Sequence, residues 1–336
     1  MTASIVRTPW KVSQQDFPSH LPVPEQLRYL LRYAILAPSS RNTQPWKFSV
    51  AGDTIGLFAD FTRWQPVADR GRRELYISLG CALENLLVAA ENFGIGYGLR
   101  YVPEPANEEL AATIALHPAP TPTLHRTGIP LDSLTTRSTQ HGMYQDRSIS
   151  DDPRRRLLLS CSDLGLRVDL TDDAPIRSKV LQLNLHADEM EFADPEFRHE
   201  LGHSMVQGML GKSRLASWLA GMVVSRINLG RAVGKRNAAM LSSAPFLGLI
   251  SAKEDDRVSQ LKTGQALERI WLHTTAMGIG LQPMSQAVEV PSLRAELARV
   301  IPGGGWVPQQ VFRLGYPRHT ETGHTPRRSL DQVLLG

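Results

Sequence analysis

Long apolar runs are missing from this sequence of 336 residues, none reaching the roughly 18 that would suggest a spanning helix, so no membrane span is expected. Cysteine is scarce. Cys81 and Cys161 are too few for a disulfide framework, and Cys81 lies within a helical apolar pattern, so a reduced, cytoplasmic protein is expected. The opening MTASIVRTPWKVSQQDFPSH lacks the basic–apolar–small order of a secretory signal. A concentrated stripe of positive charge is also lacking. The formal net charge is +4, but the arginines are scattered, with short groups only at Arg154-Arg155-Arg156 and Arg327-Arg328. That distribution fits a mildly basic solvated surface with some attraction for anionic ligands, and nucleic acid is not an expected partner. Hydrophobic content of 42% leaves ample material for a core.

What is present is an internal repeat. Residues 80–96 read GCALENLLVAAENFGIG and residues 264–280 read GQALERIWLHTTAMGIG. Gly80/Gly264, Ala82/Ala266, Leu83/Leu267, Glu84/Glu268, Gly94/Gly278, Ile95/Ile279 and Gly96/Gly280 are identical at a constant offset of 184. Chance would supply roughly one match over such a stretch. Two copies of one architectural unit are therefore expected. In the first copy Leu75, Leu79, Ala82, Leu83, Leu86, Ala90 and Phe93 fall on one helical face. Gly94 and Gly278 sit where a helix end calls for the left-handed conformation, and an extended segment follows each.

Elsewhere, residues 25–36 predict an amphipathic helix stopped by Pro38, and 46–50 with 54–59 predict a hairpin around Ala51-Gly52-Asp53. The Pro- and Thr-rich stretch 118–130 reads as the connector between halves. Residues 176–190 predict a helix, and 245–252 and 309–316 predict strands. Helices and strands interleave in both halves, giving an α+β fold with a helix-covered sheet.

Chemistry concentrates in residues 37–48, APSSRNTQPWKF. Ser39, Ser40, Asn42 and Gln44 offer neighbouring hydroxyl and amide groups, which could satisfy a ring of alternating donors and acceptors. A plain helix stop with local Ser and Asn turn bonds reads equally well from the residues alone. The string Ala37-Pro38-Ser39-Ser40-Arg41-Asn42-Thr43-Gln44-Pro45-Trp46-Lys47-Phe48 closely resembles the A-P-S-x-x-N-x-Q-P-W-x-F segment of the nitroreductase-like FMN-dependent oxidoreductase superfamily. The resemblance implies an α+β nitroreductase-like fold, FMN at a subunit interface, and contact with the flavin by Ser39, Ser40 and Asn42.

The family's second signature, Arg-x-Ser/Thr-x-Arg/Lys, is absent from the first 36 residues and matches Arg137-Ser138-Thr139-Gln140-His141, with His141 replacing the final base. By resemblance, Arg137, Thr139 and His141 would face the flavin phosphate and pyrimidine. Gln282-Pro283-Met284-Ser285-Gln286 matches the segment that passes along the central ring, with Ser285 and Gln286 departing from the common P-x-E-G. Arg327 and Arg328 resemble the basic C-terminal segment that holds phosphate, a task suited to the guanidinium fork. Each half supplies what the other lacks. The chain thus resembles the long-chain fused, Acg-type subgroup, an intramolecular pseudo-dimer with halves at 1–125 and 126–336 and a candidate lid, or internal packing helix, at 205–233.

The expected function is NAD(P)H-dependent two-electron reduction of an electron-poor acceptor, nitroaromatic or quinone. FMN sequestration with little turnover is the alternative. One complete composite pocket, hence one FMN per chain, is expected, with the vestigial second pocket filled by side chains. A remote alternative is zinc hydrolysis, because His199-Glu200-Leu201-Gly202-His203 spells HExxH. The metzincin continuation fails at Val206 and Met209, and no acidic residue follows His203 until Glu254. Gly94-x-Gly96-x-Gly98 follows a helix rather than joining strand to helix, so it is not a dinucleotide fingerprint.

Overall fold

A computed structural model describes residues 8–118, 123–206, 238–239, 242–300, 303–321 and 323–336. Two four-stranded antiparallel sheets organise the chain. The first contains β1 (Trp46–Ala51), β2 (Thr54–Ala59), β3 (Ile95–Tyr101) and β4 (Leu110–Pro118) in the order β1-β2-β4-β3. The second contains β5 (Arg167–Thr171), β6 (Phe246–Ala252), β7 (Gly280–Pro283) and β8 (Val307–Gly315) in the corresponding order β5-β6-β8-β7. Even the irregularities correspond: β2–β4 slips register at Leu57/Phe58, and β6–β8 slips at Ile250/Ser251. The two halves are related copies, as the repeat implied, and together they form an intramolecular pseudo-dimer.

The helices are α1 (Val23–Ala34), α2 (Arg73–Asn92), α3 (Asp132–Thr136), α4 (Asp151–Ser160), α5 (Ala174–Ala193), α6 (Pro195–Val206), α7 (Arg257–Ala276), α8 (Gln286–Glu289) and α9 (Pro291–Val300). The repeated segments are α2 and α7, each following the second strand of its half and leading into the third. Local chemistry fixes their ends. The Asp69 carboxylate accepts N–H bonds from Glu74 and Leu75 at the start of α2, and Asp256 accepts one from Ser259 at the start of α7. Gly94 and Gly278 close them with φ of 72° and 67°.

α2 and α7 pack against each other at the seam between the halves. A Cβ on Gly80 would lie 2.0 Å from the Leu261 carbonyl oxygen, and one on Gly264 would lie 2.0 Å from that of Ile77. The repeated glycine is therefore the contact point of the pseudo-dimer, where helix backbones touch. This explains a departure from the sequence pattern. A one-faced amphipathic α2 was expected, yet every residue from Arg73 to Glu91 is buried. α7 covers the face that an isolated unit would leave wet.

One large core spans the seam, uniting Leu83 and Leu86 with Leu267, Ile270 and Trp271. A smaller cluster lies beneath α5, α8 and α9. The chain end crosses back to the first half: Phe48 N–H donates to Val333 and Leu335 N–H donates to Phe48, extending the sheet beside β1. The helices and strands anticipated at 25–36, 176–190, 245–252 and 309–316 appear with boundaries shifted by at most three residues. Of the 118–130 connector, Pro118 ends β4, residues 119–122 fall outside the described residues, and 124–128 form turns.

Candidate functional site

A cavity of about 660 Å³ opens at the seam, walled by Cys81 of α2, Leu267 and Trp271 of α7, and the loop that follows α1. That loop is unusual. Arg41, Asn42 and Gln44 have φ of 48°, 57° and 52°, the left-handed region that non-glycine residues seldom occupy. Such conformations cost on the order of 1–3 kcal/mol each and persist only where surroundings enforce them. Here the backbone N–H of Gln44 donates to the Ser39 hydroxyl at 2.9 Å, and that of Ser40 to the Ser78 hydroxyl at 3.2 Å.

The rest of the enforcement comes from the far end of the chain. Asn42 Oδ1 accepts from Arg327 Nη1 at 2.9 Å, and Asn42 Nδ2 donates to the Pro326 carbonyl at 3.0 Å. Gln44 Oε1 accepts the Arg328 N–H at 2.8 Å. The motif loop of the first half and the basic segment of the second are thus one hydrogen-bonded unit.

Two arginines stand in the cavity wall, Arg137 at 3% exposure and Arg327 at 2%. Both donate to the Leu36 carbonyl, at 3.3 and 3.0 Å. Arg137 lies over the Trp271 ring, and Arg327 over Trp10, whose indole stacks on His324. Behind them is Glu268, fully buried. Arg137 Nε comes within 3.2 Å of its carboxylate but without directed hydrogen-bond geometry, and both Glu268 oxygens lack a hydrogen-bond partner. Burial pushes Glu268 up to about 7 despite the lowering influence of Arg137 and Arg327. Two guanidiniums facing one carboxyl whose charged form burial disfavours leave this end of the cavity electropositive.

Glu84 is the repeat counterpart of Glu268, and its surroundings are the opposite. Its carboxylate accepts from Arg126 at 2.7 and 2.9 Å, from Arg269 at 2.7 and 3.2 Å, and from Gln265 at 3.0 Å. Burial alone would raise Glu84, yet the two guanidiniums hold it at about 2. Arg126 comes from the connector between halves, and the Tyr101 hydroxyl closes the group by donating to Gln265 at 2.6 Å. The second of the two related positions is packed with satisfied side chains.

The opposite side of the cavity is acidic. Glu74, Asp188, Glu191 and Glu289 line it together with Arg41. Glu74 is ion-paired with Arg73 at 2.6 Å. Burial pushes both Glu191 and Glu289 above the usual carboxylate range.

Among the residues singled out from sequence, Ser39, Ser40, Asn42, Arg137, Thr139, His141, Pro283, Ser285 and Arg327 line this one cavity. Gln44, Met284 and Arg328 stand behind the wall. Gln44 braces the loop, the buried Met284 donates its N–H to Val311, and Arg328 faces a separate cleft of about 880 Å³. His141 Nδ1 lies 3.2 Å from the Gln282 amide nitrogen. Trp10, Ser78, Cys81, Trp271 and the four acidic residues were not anticipated. Ser78, Cys81 and Trp271 sit inside helices whose apolar pattern reads as core, and the acidic residues lie on elements distant in sequence.

The HExxH string occupies α6, with His199 and His203 exposed. Glu200, which a zinc peptidase would use as a base, instead accepts the backbone N–H groups of Val67 and Ala68 at 3.1 and 3.0 Å. It also lies 3.6 Å from Arg41, whose guanidinium covers Phe197. These contacts fasten α6 to the motif loop. Among the described residues no three His, Cys, Asp or Glu side chains are grouped to hold a metal ion. Of the candidate lid at 205–233, residues 207–233 lie outside the described residues.

No family model matches the chain. A protein of Mycobacterium tuberculosis strain H37Rv, provisionally named an NAD(P)H nitroreductase, is 26% identical, the alignment covering 94% of this chain and 93% of that protein. The acg protein of the same organism, provisionally named likewise, is 23% identical over 94% of this chain and 97% of its own length. PigM of Serratia sp. strain ATCC 39006, also provisionally an NAD(P)H nitroreductase, is 22% identical over 92% and 93%. Among solved structures, a nitroreductase with bound FMN from Desulfitobacterium hafniense aligns with 60% of this chain and 95% of its own, at 13% identity and a TM-score of 0.41. The likeness to nitroreductase-like proteins of the long, acg type runs through both halves of this chain.

Proposed function

We propose that the chain binds one FMN in the seam cavity and acts as an NAD(P)H-dependent oxidoreductase, passing two electrons to an electron-poor acceptor of the nitroaromatic or quinone type. The observation that carries this reading is the composite wall: the strained Ser39–Asn42 loop from one half meets Arg137 and Arg327 from the other. A volume of about 660 Å³ lies within the usual range for cofactor pockets. The buried Nε atoms of Arg137 and Arg327 and both oxygens of Glu268 lack hydrogen-bond partners, a state expected where a polar ligand completes the set.

In this reading Arg137 and Arg327 hold the anionic phosphate or the electron-rich edge of the ring, while Ser39, Ser40, Thr139, His141, Pro283 and Ser285 border it. Asn42, Gln44 and Arg328 keep the loop and the C-terminal segment in register, and Met284 packs behind. Bound there, FMN would supply a two-electron store that a nicotinamide fills and an acceptor empties. The protein's part is to hold that store, exclude water through the Trp10–Arg327 and Trp271–Arg137 stacks, and tune it by charge. A division of the chain near residue 125 and a reduced, cytoplasmic setting belong to the same proposal, the latter supported by two buried, free cysteines.

The test is the visible spectrum of the purified protein, followed by the flavin released per mole of chain after saturation with FMN. A value near one is expected. A colourless protein that cannot be reconstituted, or a value near two, would overturn the reading. Steady-state oxidation of NADH or NADPH with a quinone then separates an enzyme from a protein that only sequesters flavin.

A further inference from the structure

Glu191, near the end of α5, and Glu289, the last residue of α8, are neighbouring carboxyls, and burial pushes both above the usual carboxylate range. Two like charges brought together in a buried place disfavour double ionisation, so the pair favours holding a proton. Both residues line the seam cavity, and both also line a neighbouring cleft of about 1090 Å³. The pair is therefore the partition between two spaces, with one face toward the candidate cofactor site and the other toward the outer cleft.

The charges around the pair come from three elements. Asp188 lies one turn before Glu191 on α5, Glu74 projects from α2, and Arg41 comes from the motif loop; Arg73 neutralises Glu74 from the far side. Burial is the largest influence on Glu191 and lifts it to about 7, with Asp188 and Glu74 acting in the same direction against Arg41. Burial, then Glu191 and Glu74, push Glu289 well above the usual carboxylate range. A group that retains a proton near neutrality and can lose it is suited to general acid catalysis.

We propose that the Glu191–Glu289 pair is the proton donor of the seam cavity, giving its shared proton to the acceptor as that acceptor is reduced and regaining one from the outer cleft. This rests on the oxidoreductase reading above. A quinone acceptor takes two electrons and one proton, as a hydride equivalent, from the reduced flavin. One quinone oxygen then carries a negative charge. The O–H bond of the pair breaks, a new O–H bond forms on that oxygen, and a neutral hydroquinone results. The pair is left as two carboxylates, and a solvent proton arriving through the cleft restores it.

The experiment uses the FMN-loaded protein and the variants Glu191→Gln, Glu289→Gln and Glu289→Asp. Infrared spectra without acceptor should contain the carbonyl band of a protonated carboxyl at neutral pH in the wild type. Glu268 contributes to the same band, so the pair is read from the difference, and part of the band should be lost in either Gln variant. In stopped flow, reoxidation of the pre-reduced flavin by benzoquinone should slow by roughly a hundredfold in the Gln variants, the lower end of what a positioned acid contributes. It should also lose its dependence on pH around neutrality, and Glu289→Asp should recover part of the rate. A band unchanged in both Gln variants, or Gln variants that reoxidise at the wild-type rate with the wild-type pH profile, would overturn the proposal. Flavin stoichiometry separates the two failures. One flavin per chain with unchanged reoxidation refutes the proton donor alone, whereas no bound flavin refutes the cofactor reading and the donor with it.

Discussion

The sharpest mechanical prediction concerns Gly80. In the middle of a helix a glycine costs about 1 kcal/mol relative to alanine, so propensity alone favours Gly80→Ala by that amount. The seam opposes it. The added methyl would stand 2.0 Å from the Leu261 carbonyl oxygen and 2.9 Å from the Gly264 Cα, where ordinary contact begins at 3.4 Å. Relief requires α2 and α7 to separate by about 1.4 Å, the difference between 3.4 and 2.0 Å, because the obstruction is backbone and cannot rotate away. A gap of that order forfeits much of the dispersion energy of the residues packed across the seam. Overpacking usually costs about 1–3 kcal/mol, and a backbone obstruction belongs at the upper end. Set against the propensity gain, a net loss of about 2 kcal/mol or more is expected. Urea denaturation of the flavin-free protein measures it, with Gly98→Ala as control, since nothing lies within 4 Å of a Cβ at that strand position. Gly264→Ala should behave like Gly80→Ala, and the double variant should cost less than the sum because one displacement relieves both clashes. A Gly80→Ala protein as stable as the wild type would refute the close backbone contact.

Two further outcomes are expected. Glu268 is raised from 4.5 to about 7, so its neutral form is the one the fold favours; that contribution is complete below pH 4.5 and is lost as pH rises toward about 7. Flavin-free wild type should thus lose on the order of 3 kcal/mol from this group over that range, and Glu268→Gln should flatten the profile; parallel urea midpoints for the two proteins would refute the assignment. Calorimetric titration of the apo-protein should give FMN dissociation constants roughly ten- to a hundredfold weaker for Arg137→Ala and Arg327→Ala, the value of a charge-assisted contact, and an unchanged constant would remove that arginine from the site.

How much of this was legible in the sequence depends on how far apart the cooperating residues lie. The 37–48 loop was readable because its groups are contiguous, and the repeat was readable because Gly80 and Gly264 must both remain glycine for the helices to touch. The Arg137 segment and the Arg327 segment were legible only through resemblance, being about 100 and 290 residues from the loop they meet. The remaining walls were hidden. Ser78 and Cys81 lie on α2, a helix buried on every side, so no polar face marks the part that lines the cavity. Glu289 sits on a four-residue helix too short for periodicity to register. HExxH shows the reverse: its spacing suits a metal, the sequence around it already lacked a third ligand, and Glu200 is occupied by two backbone N–H groups from a loop more than 130 residues away.

Glu84 and Glu268 together show what duplication within one chain permits. In a symmetric dimer of identical subunits, any residue at this position would have to serve both sites in the same way. Fusion removes that constraint. At one position Arg126 and Arg269 surround Glu84 with directed hydrogen bonds, fixing its charge and filling the space. At the other, Arg137 and Arg327 approach Glu268 without completing its hydrogen bonds, and the space beside them stays open. The satisfied position gains rigidity from fully paired buried charges, and the unsatisfied one retains binding capacity at the cost of leaving buried groups unpaired. The segment that joins the two sheets supplies Arg126, which fills the space beside Glu84. The C-terminal segment supplies Arg327 and pairs with β1, so the remaining site draws on both halves. The asymmetry between Glu84 and Glu268 is the physical consequence of where those two segments run.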